Sequence, residues 1–215
     1  MHKRKRMTAM KKMFVAMAAM GGMLLPGAAL AQMFTATVTG QATGFISPGD
    51  QLGGEYGGIV YAGTLDGVTP LFVTRCDYGM VWNPDTDVCG GTRGLLAYGS
   101  YGVVTGATSV TDGASNTNTL AARSDTPAAK YCADLAPPDV NSHGYGDWYL
   151  PSANELELLK THYVAIGNVA AGSSYLYWSS TENTYVQAYY MRITSASGGT
   201  IKSSPYYIRC MRRGN

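Results

Sequence analysis

Hydrophobic positions along this 215-residue chain change character from one end to the other. A single continuous apolar run occupies residues 13–25, near the N-terminus. From about residue 57 onward the apolar stretches are short and are bounded by Gly, Asp, Asn and Pro, which is how strands and turns read. Strands are expected at 58–62 and 70–74, with Leu65-Asp66-Gly67 between them, and at 94–98 and 102–105. After Gly167 the strand-like pattern returns at 176–179, 187–193, 200–202 and 206–211. Two helices interrupt it. The first begins at Ser124-Asp125-Thr126, where Pro127 suits the first turn, and runs through Ala128, Ala129, Tyr131, Cys132 and Leu135 until Pro137-Pro138 stops it. The second opens at Pro151-Ser152, where Ser152 and Glu155 have the spacing of a capping box. Leu156, Leu159 and Tyr163 then recur at helical spacing and give it one buried face. The expected fold class is α+β, with two helices packed on short antiparallel strands joined by long loops.

Charge changes how the ends are read. Basic residues at 3–6, Lys11 and Lys12 precede the apolar run, and Ala29-Leu30-Ala31 follows it, which together read as a secretory leader over residues 1–31. The run is shorter than the ~20 residues of a membrane span. No cysteine follows the expected cleavage point, so no lipid anchor is expected there. Met7 and Met10 are alternative starts. The whole chain has 16 Lys+Arg and 14 Asp+Glu. The leader holds six of the basic residues and no acidic one, so the 184 residues after it carry 10 basic against 14 acidic, a net of −4. No acidic residue follows Glu182, whereas Arg192, Lys202, Arg209, Arg212 and Arg213 do. A basic segment on an acidic body suits an anionic ligand such as a sulfated glycan; the plainer reading is solvated strand ends. Residues 32–56 read as an N-terminal extension or first strand, and 57–213 as one domain.

Four cysteines remain, Cys76, Cys89, Cys132 and Cys210, and an even count in an exported chain reads as a disulfide framework. Of the three pairings, position favours Cys76–Cys89, across the Asn83-Pro84-Asp85 turn, and Cys132–Cys210, from a helix to the last strand. Loop-closure entropy gives them about 3 and about 4.5 kcal/mol. No CxxC spacing suggests zinc. Asn83, Asp85 and Asp87 alternate like a calcium loop, but Val88 and Gly94 stand where Gly and Glu are needed. Beyond the leader only His143 and His162 remain, and no nucleophile elbow surrounds a serine. No catalytic residue, metal, cofactor or nucleic-acid partner is implied.

One ordered series of blocks is more specific than any of these features. It runs from CDYGMVWNPDTDVCGGTR (from Cys76) through DGASNTNTL (from Asp112) and AAKYCADL (from Ala128) to DWYLPSANELELL (from Asp147), YWSSTEN (from Tyr177) and YYIRCMRR (from Tyr206). The series resembles the C-terminal domain of Lcl-type bacterial collagen-like adhesins, over about residues 57–213. The resemblance implies a C-type-lectin-like fold, related to formylglycine-generating enzymes and retroelement-variable proteins, with a long-range disulfide from helix to last strand. Tyr149 stands where that family usually has arginine (DWRLP), and no Gly-X-Y tract precedes the domain. The EPN and WND triplets of calcium-dependent lectins are absent, and the Glu and Asn of WSSTEN read as framework. Asp147, Trp148 and Trp178 are expected as framework too, the tryptophans in the core.

Candidate ligand contacts lie between the blocks: Tyr185, Gln187, Tyr189, Arg192, Lys202, Ser203, Ser204 and Tyr206. Alternation along a strand sends a subset of them outward. Tyrosine with serine and glycine suits recognition, and arginine can hold a carboxylate or sulfate bidentately. The competing reading puts Tyr189 and Tyr207 in the core. A secreted or surface binding module for an extracellular glycan or a surface protein is expected, with oligomerisation compatible. A structural component of an envelope complex is the alternative, and an oxidase-like enzyme would need a free thiol.

Overall fold

In this computed structural model the described residues are 55–56, 59–83, 85–86 and 88–214. The leader reading at 1–31 and nearly all of 32–56 lie outside them. The chain forms β1 (Glu55–Tyr56), β2 (Ile59–Thr64), β3 (Pro70–Val73), β4 (Met80–Asn83), β5 (Val88–Gly91) and β6 (Leu96–Ala97). Then come α1 (Gly113–Ala121), α2 (Pro127–Asp134), a 3-10 turn at Val140–Ser142 and α3 (Ala153–Ile166). Strands β7 (Leu176–Glu182), β8 (Gln187–Arg192), β9 (Gly198–Ile201), β10 (Pro205–Tyr206) and β11 (Met211–Arg213) complete it. Every pairing within the sheets is antiparallel, in the orders β1-β2-β3-β11, β7-β8-β9, β4-β5 and β10-β6. The architecture is therefore α+β with short strands.

Strand β2 is apolar without alternation because both its faces are buried. Ile59 and Tyr61 join Phe72, Tyr98, Leu120, Trp148, Trp178 and Ile208 in one core. Val60 and Ala62 join Val73, Leu156, Leu159, Tyr177, Met191 and Met211 in the other. Trp148 and Trp178 are both buried, as expected. Both disulfides have the expected pairing, Cys76–Cys89 and Cys132–Cys210. The second joins α2 to the residue before β11.

The expected helices form, with a third that sequence reading passed over. α2 has Pro127 at its start behind Thr126, whose hydroxyl donates to Leu120 O at 2.5 Å. α3 has its capping box: the buried Glu155 carboxylate accepts from Ser152 N–H and Ser152 Oγ, each at 2.8 Å. The same carboxylate accepts from Gly113 N–H at 2.9 Å and Tyr149 Oη at 3.0 Å. The additional helix, α1, is capped by Asp112, which accepts from Ser115 N–H at 3.0 Å. Its first residue must be glycine, since a Cβ on Gly113 would lie 2.6 Å from Ser152 N and 2.8 Å from Leu150 O.

Three strand expectations need correcting. Residues 102–105 form no strand; Thr105 N–H, with Gly106 N–H beyond it, donates to the Glu182 carboxylate instead. The stretch 206–211 is not one ladder but splits into β10, a Tyr207–Tyr177 bridge and β11. A hairpin, β4–β5, fills the Cys76–Cys89 loop, where only a turn was expected.

Candidate functional site

The basic residues of the C-terminal third were read either as a face for an anionic ligand or as solvated strand ends, and four of the five instead pair with acidic side chains. Arg209 is buried and bonds Asp77 Oδ1 at 2.9 Å, while its other contacts are Asn168 O and Gly167 O at the end of α3. Arg212 grips Asp147 with two bonds, at 2.7 and 2.8 Å. Arg213 reaches Asp112 at 3.1 Å and Glu155 at 3.3 Å. Tyr149 bonds the same Glu155.

Lys202 corrects its place in the candidate set. Its side chain is fully buried and ion-paired with Glu182, and its ammonium also donates to Val103 O at 2.7 Å and Tyr185 O at 3.2 Å. Glu182 accepts in addition from Thr105 N–H at 2.9 Å and Gly106 N–H at 2.8 Å. Burial alone would raise the Glu182 pKa, but the Lys202 bond and these backbone N–H groups outweigh it and hold the carboxyl below its ordinary range. Such a pair, desolvated and saturated with hydrogen bonds, fixes loops rather than binding from solvent. It ties the 99–106 loop, the β7–β8 turn and the end of β9 together.

Strand alternation divides the remaining candidates between two faces. The register pairs Gln187 with Ile201 and Tyr189 with Gly199, placing these four on the face toward α3. Arg192 lies on the opposite face, 5.6 Å over the Tyr190 ring, with Nη1 3.4 Å from Ser195 Oγ. Tyr206 belongs with that second group, its ring 4.8 Å from Trp178 and its hydroxyl 3.2 Å from Thr200 Oγ1. Ser204 is half-buried and its carbonyl accepts from Trp178 Nε1 at 3.2 Å, while Ser203 is exposed. Tyr185 projects from the β7–β8 turn and is 61% exposed. The eight candidates therefore do not form one surface.

On the α3 side a groove of about 190 Å³ runs between the start of α3 and β8–β9, with Asn154, Glu157, Ser179, Tyr189, Ser197 and Gly198 in its lining. Glu157 accepts from Ser197 Oγ and sits 3.3 Å from Lys160 Nζ. Beyond the groove on the same face, the Asn183 and Gln187 amides bond each other at 3.3 Å and lie over Gly199. A side chain on Gly199 would displace them, its Cβ lying 2.5 Å from Asn183 Nδ2. Of the expected contacts, Tyr189 lines the groove and Gln187 extends its face. Asn154, Glu157 and Ser197 were missed, because the groove joins a helix to a hairpin far along the chain and no local motif marks it.

A second cavity, about 330 Å³, lies against Asp66, Thr69, Thr111, Glu155 and Arg213. Two of its charged residues, Glu155 and Arg213, already pair with each other at 3.3 Å. His143, expected in a loop, follows the 3-10 turn at φ 50 with its ring 5.1 Å from Trp82. Burial, with Arg75 nearby, lowers its pKa to about 4. Among the described residues no group of three or more His, Cys, Asp or Glu side chains is placed to hold a metal ion.

Comparison with known proteins adds one firm match. A family model described as the Lcl C-terminal domain matches residues 73–212. No curated protein matches the chain. Among solved structures, a fimbrial protein from Bacteroides ovatus ATCC 8483 aligns over 48% of this chain and 24% of that one, at 21% identity and a TM-score of 0.32.

Proposed function

Because the chain belongs to the Lcl C-terminal domain family, we propose that it is a non-enzymatic binding module, working at the cell surface or outside the cell. It has a C-type-lectin-like fold and recognises a glycan or a surface protein. The observation that carries this reading is the groove between α3 and β8–β9, where Tyr189 sits beside hydroxyl, amide and carboxylate groups and Tyr185 projects nearby from the β7–β8 turn. Half-buried tyrosine beside adaptable polar groups is the composition of recognition surfaces. The pairing of all four cysteines supports export, since disulfides persist in oxidising compartments. It also counts against thiol-based oxidase chemistry, which needs a free cysteine. No described helix is long and apolar enough to cross a membrane. The disulfide from α2 to the residue before the last strand supports the lectin-like fold.

The test is binding of the exported protein to host extracellular matrix and to glycan and protein arrays, with Tyr189→Ala and Tyr185→Ala compared at equal folded fraction. Loss of binding in Tyr189→Ala is expected; wild-type binding by both variants would move the site off this face.

An assembly role in an envelope complex is favoured by a different observation. Tyr101, Val104 and Ile201 are 63%, 68% and 45% exposed, on the segments that Lys202 and Glu182 draw together. In that case pull-down from the producing cell yields a stoichiometric partner that Val104→Asp releases.

A further inference from the structure

We infer that the ligand of the α3/β8–β9 groove is an electrically neutral saccharide, with one terminal sugar ring entering the groove; this rests on the binding function proposed above. Charge decides the class. Glu157 is the one charged residue among those lining the groove, and no lysine or arginine lines it. The cations that the sequence offered for an anionic glycan are engaged elsewhere: Lys202 with Glu182, Arg209 with Asp77, Arg212 with Asp147, and Arg213 with Asp112 and Glu155. Arg192 alternates to the other face of β8, over Tyr190. A sulfate or carboxylate entering the groove would meet the Glu157 carboxylate, while the one lysine beside it, Lys160 at 3.3 Å, is paired with that carboxylate and does not line the groove.

The remaining chemistry suits a polyol. Tyr189 gives an apolar ring face of the kind that packs on the C–H side of a pyranose. Around it stand donors and acceptors of both kinds: the exposed Asn154 amide, the Ser197 hydroxyl and the Glu157 carboxylate, which can accept from adjacent sugar hydroxyls. The Asn183–Gln187 amide pair, laid flat over Gly199, continues the same face beyond the groove. Size sets the mode. At about 190 Å³ the groove falls below the roughly 300–1,000 Å³ that enclose a drug-sized ligand. It therefore takes the end of a chain rather than its length.

The experiment is an array of neutral, sialylated and sulfated glycans, including heparin, probed with the exported protein at low salt and at about 1 M salt, where charges are screened within about 3 Å. Binding should appear on neutral terminal sugars and persist at high salt. Tyr189→Ala and Asn154→Ala should weaken it about tenfold or more, and Arg192→Ala should leave it unchanged. Asn154 is exposed, so its variant keeps the test valid if Tyr189→Ala fails to fold. Binding confined to sulfated or sialylated glycans and lost at high salt would overturn the inference. So would a protein ligand that needs Tyr189 while every neutral glycan is silent, an outcome that leaves the broader binding role standing. Absence of any ligand on this face would remove both.

Discussion

Lys202 shows why a single basic residue cannot be placed from its neighbours alone. It follows Ile201 at the end of an edge strand, between exposed positions, and its sequence surroundings are those of a surface lysine. What buries it is a carboxylate 20 residues earlier, in the YWSSTEN block, together with two carbonyls from separate loops. Removing one partner leaves the other charge desolvated, so Lys202→Met should cost about 3–5 kcal/mol, measured by urea denaturation, and Lys202→Met with Glu182→Leu should recover part of it. His143 gives a pH signature. Its folded pKa of about 4 lies below the ordinary 6.5, so the unfolded chain binds the proton more tightly. Stability is therefore fully present above pH 6.5 and declines as pH falls from there toward 4. His143→Gln should flatten that limb of a stability-versus-pH curve.

Elements were legible where a local rule governs them. α2 and α3 could be read because Pro127 and the Ser152/Glu155 box are start signals independent of the fold. α1 carries Ser, Asn and Thr where apolar periodicity would be expected, and it is held by Asp112, by the close approach at Gly113 and by burial of Asn116, Thr117 and Leu120. Those are tertiary causes with no sequence period. The candidate site divides in the same way. Alternation along β8 could be read, but which face looks toward α3 could not, so Arg192 and Tyr206 were grouped with Tyr189 across a sheet. Glu155 is the sharpest test at this scale, since it caps α3, seats α1 and accepts from Tyr149 at once. Glu155→Ala should cost at least about 3 kcal/mol, well above the ~1 kcal/mol of an ordinary cap; a loss of only ~1 kcal/mol in thermal or urea unfolding would confine its role to α3.

At the scale of the domain, the framework follows long-range ties. Asp77 accepts from Arg93 at 2.7 Å, Tyr177 at 2.8 Å and Arg209 at 2.9 Å, joining the Cys76 segment to β7 and to the last strand. The Cys132–Cys210 bridge spans 78 residues and Cys76–Cys89 spans 13. Replacing each pair with alanine should remove about 4.5 and about 3 kcal/mol. Equal losses would mean that the larger loop is already restrained in the unfolded chain. The pairing itself could be read from position because one short and one long closure fitted the turn and helix signals; the ion pairs could not, as each joins charges far apart in sequence.

The seating of β11 beside β3 also has a consequence in time. Until the ribosome has added residues 205–213, β3 has no neighbour on one side, Cys132 has no thiol to meet and Asp77 has no Arg209. Contacts of such long sequence separation form late and slowly. The domain's framework therefore cannot close until this short stretch is available to β3, Cys132 and Asp77.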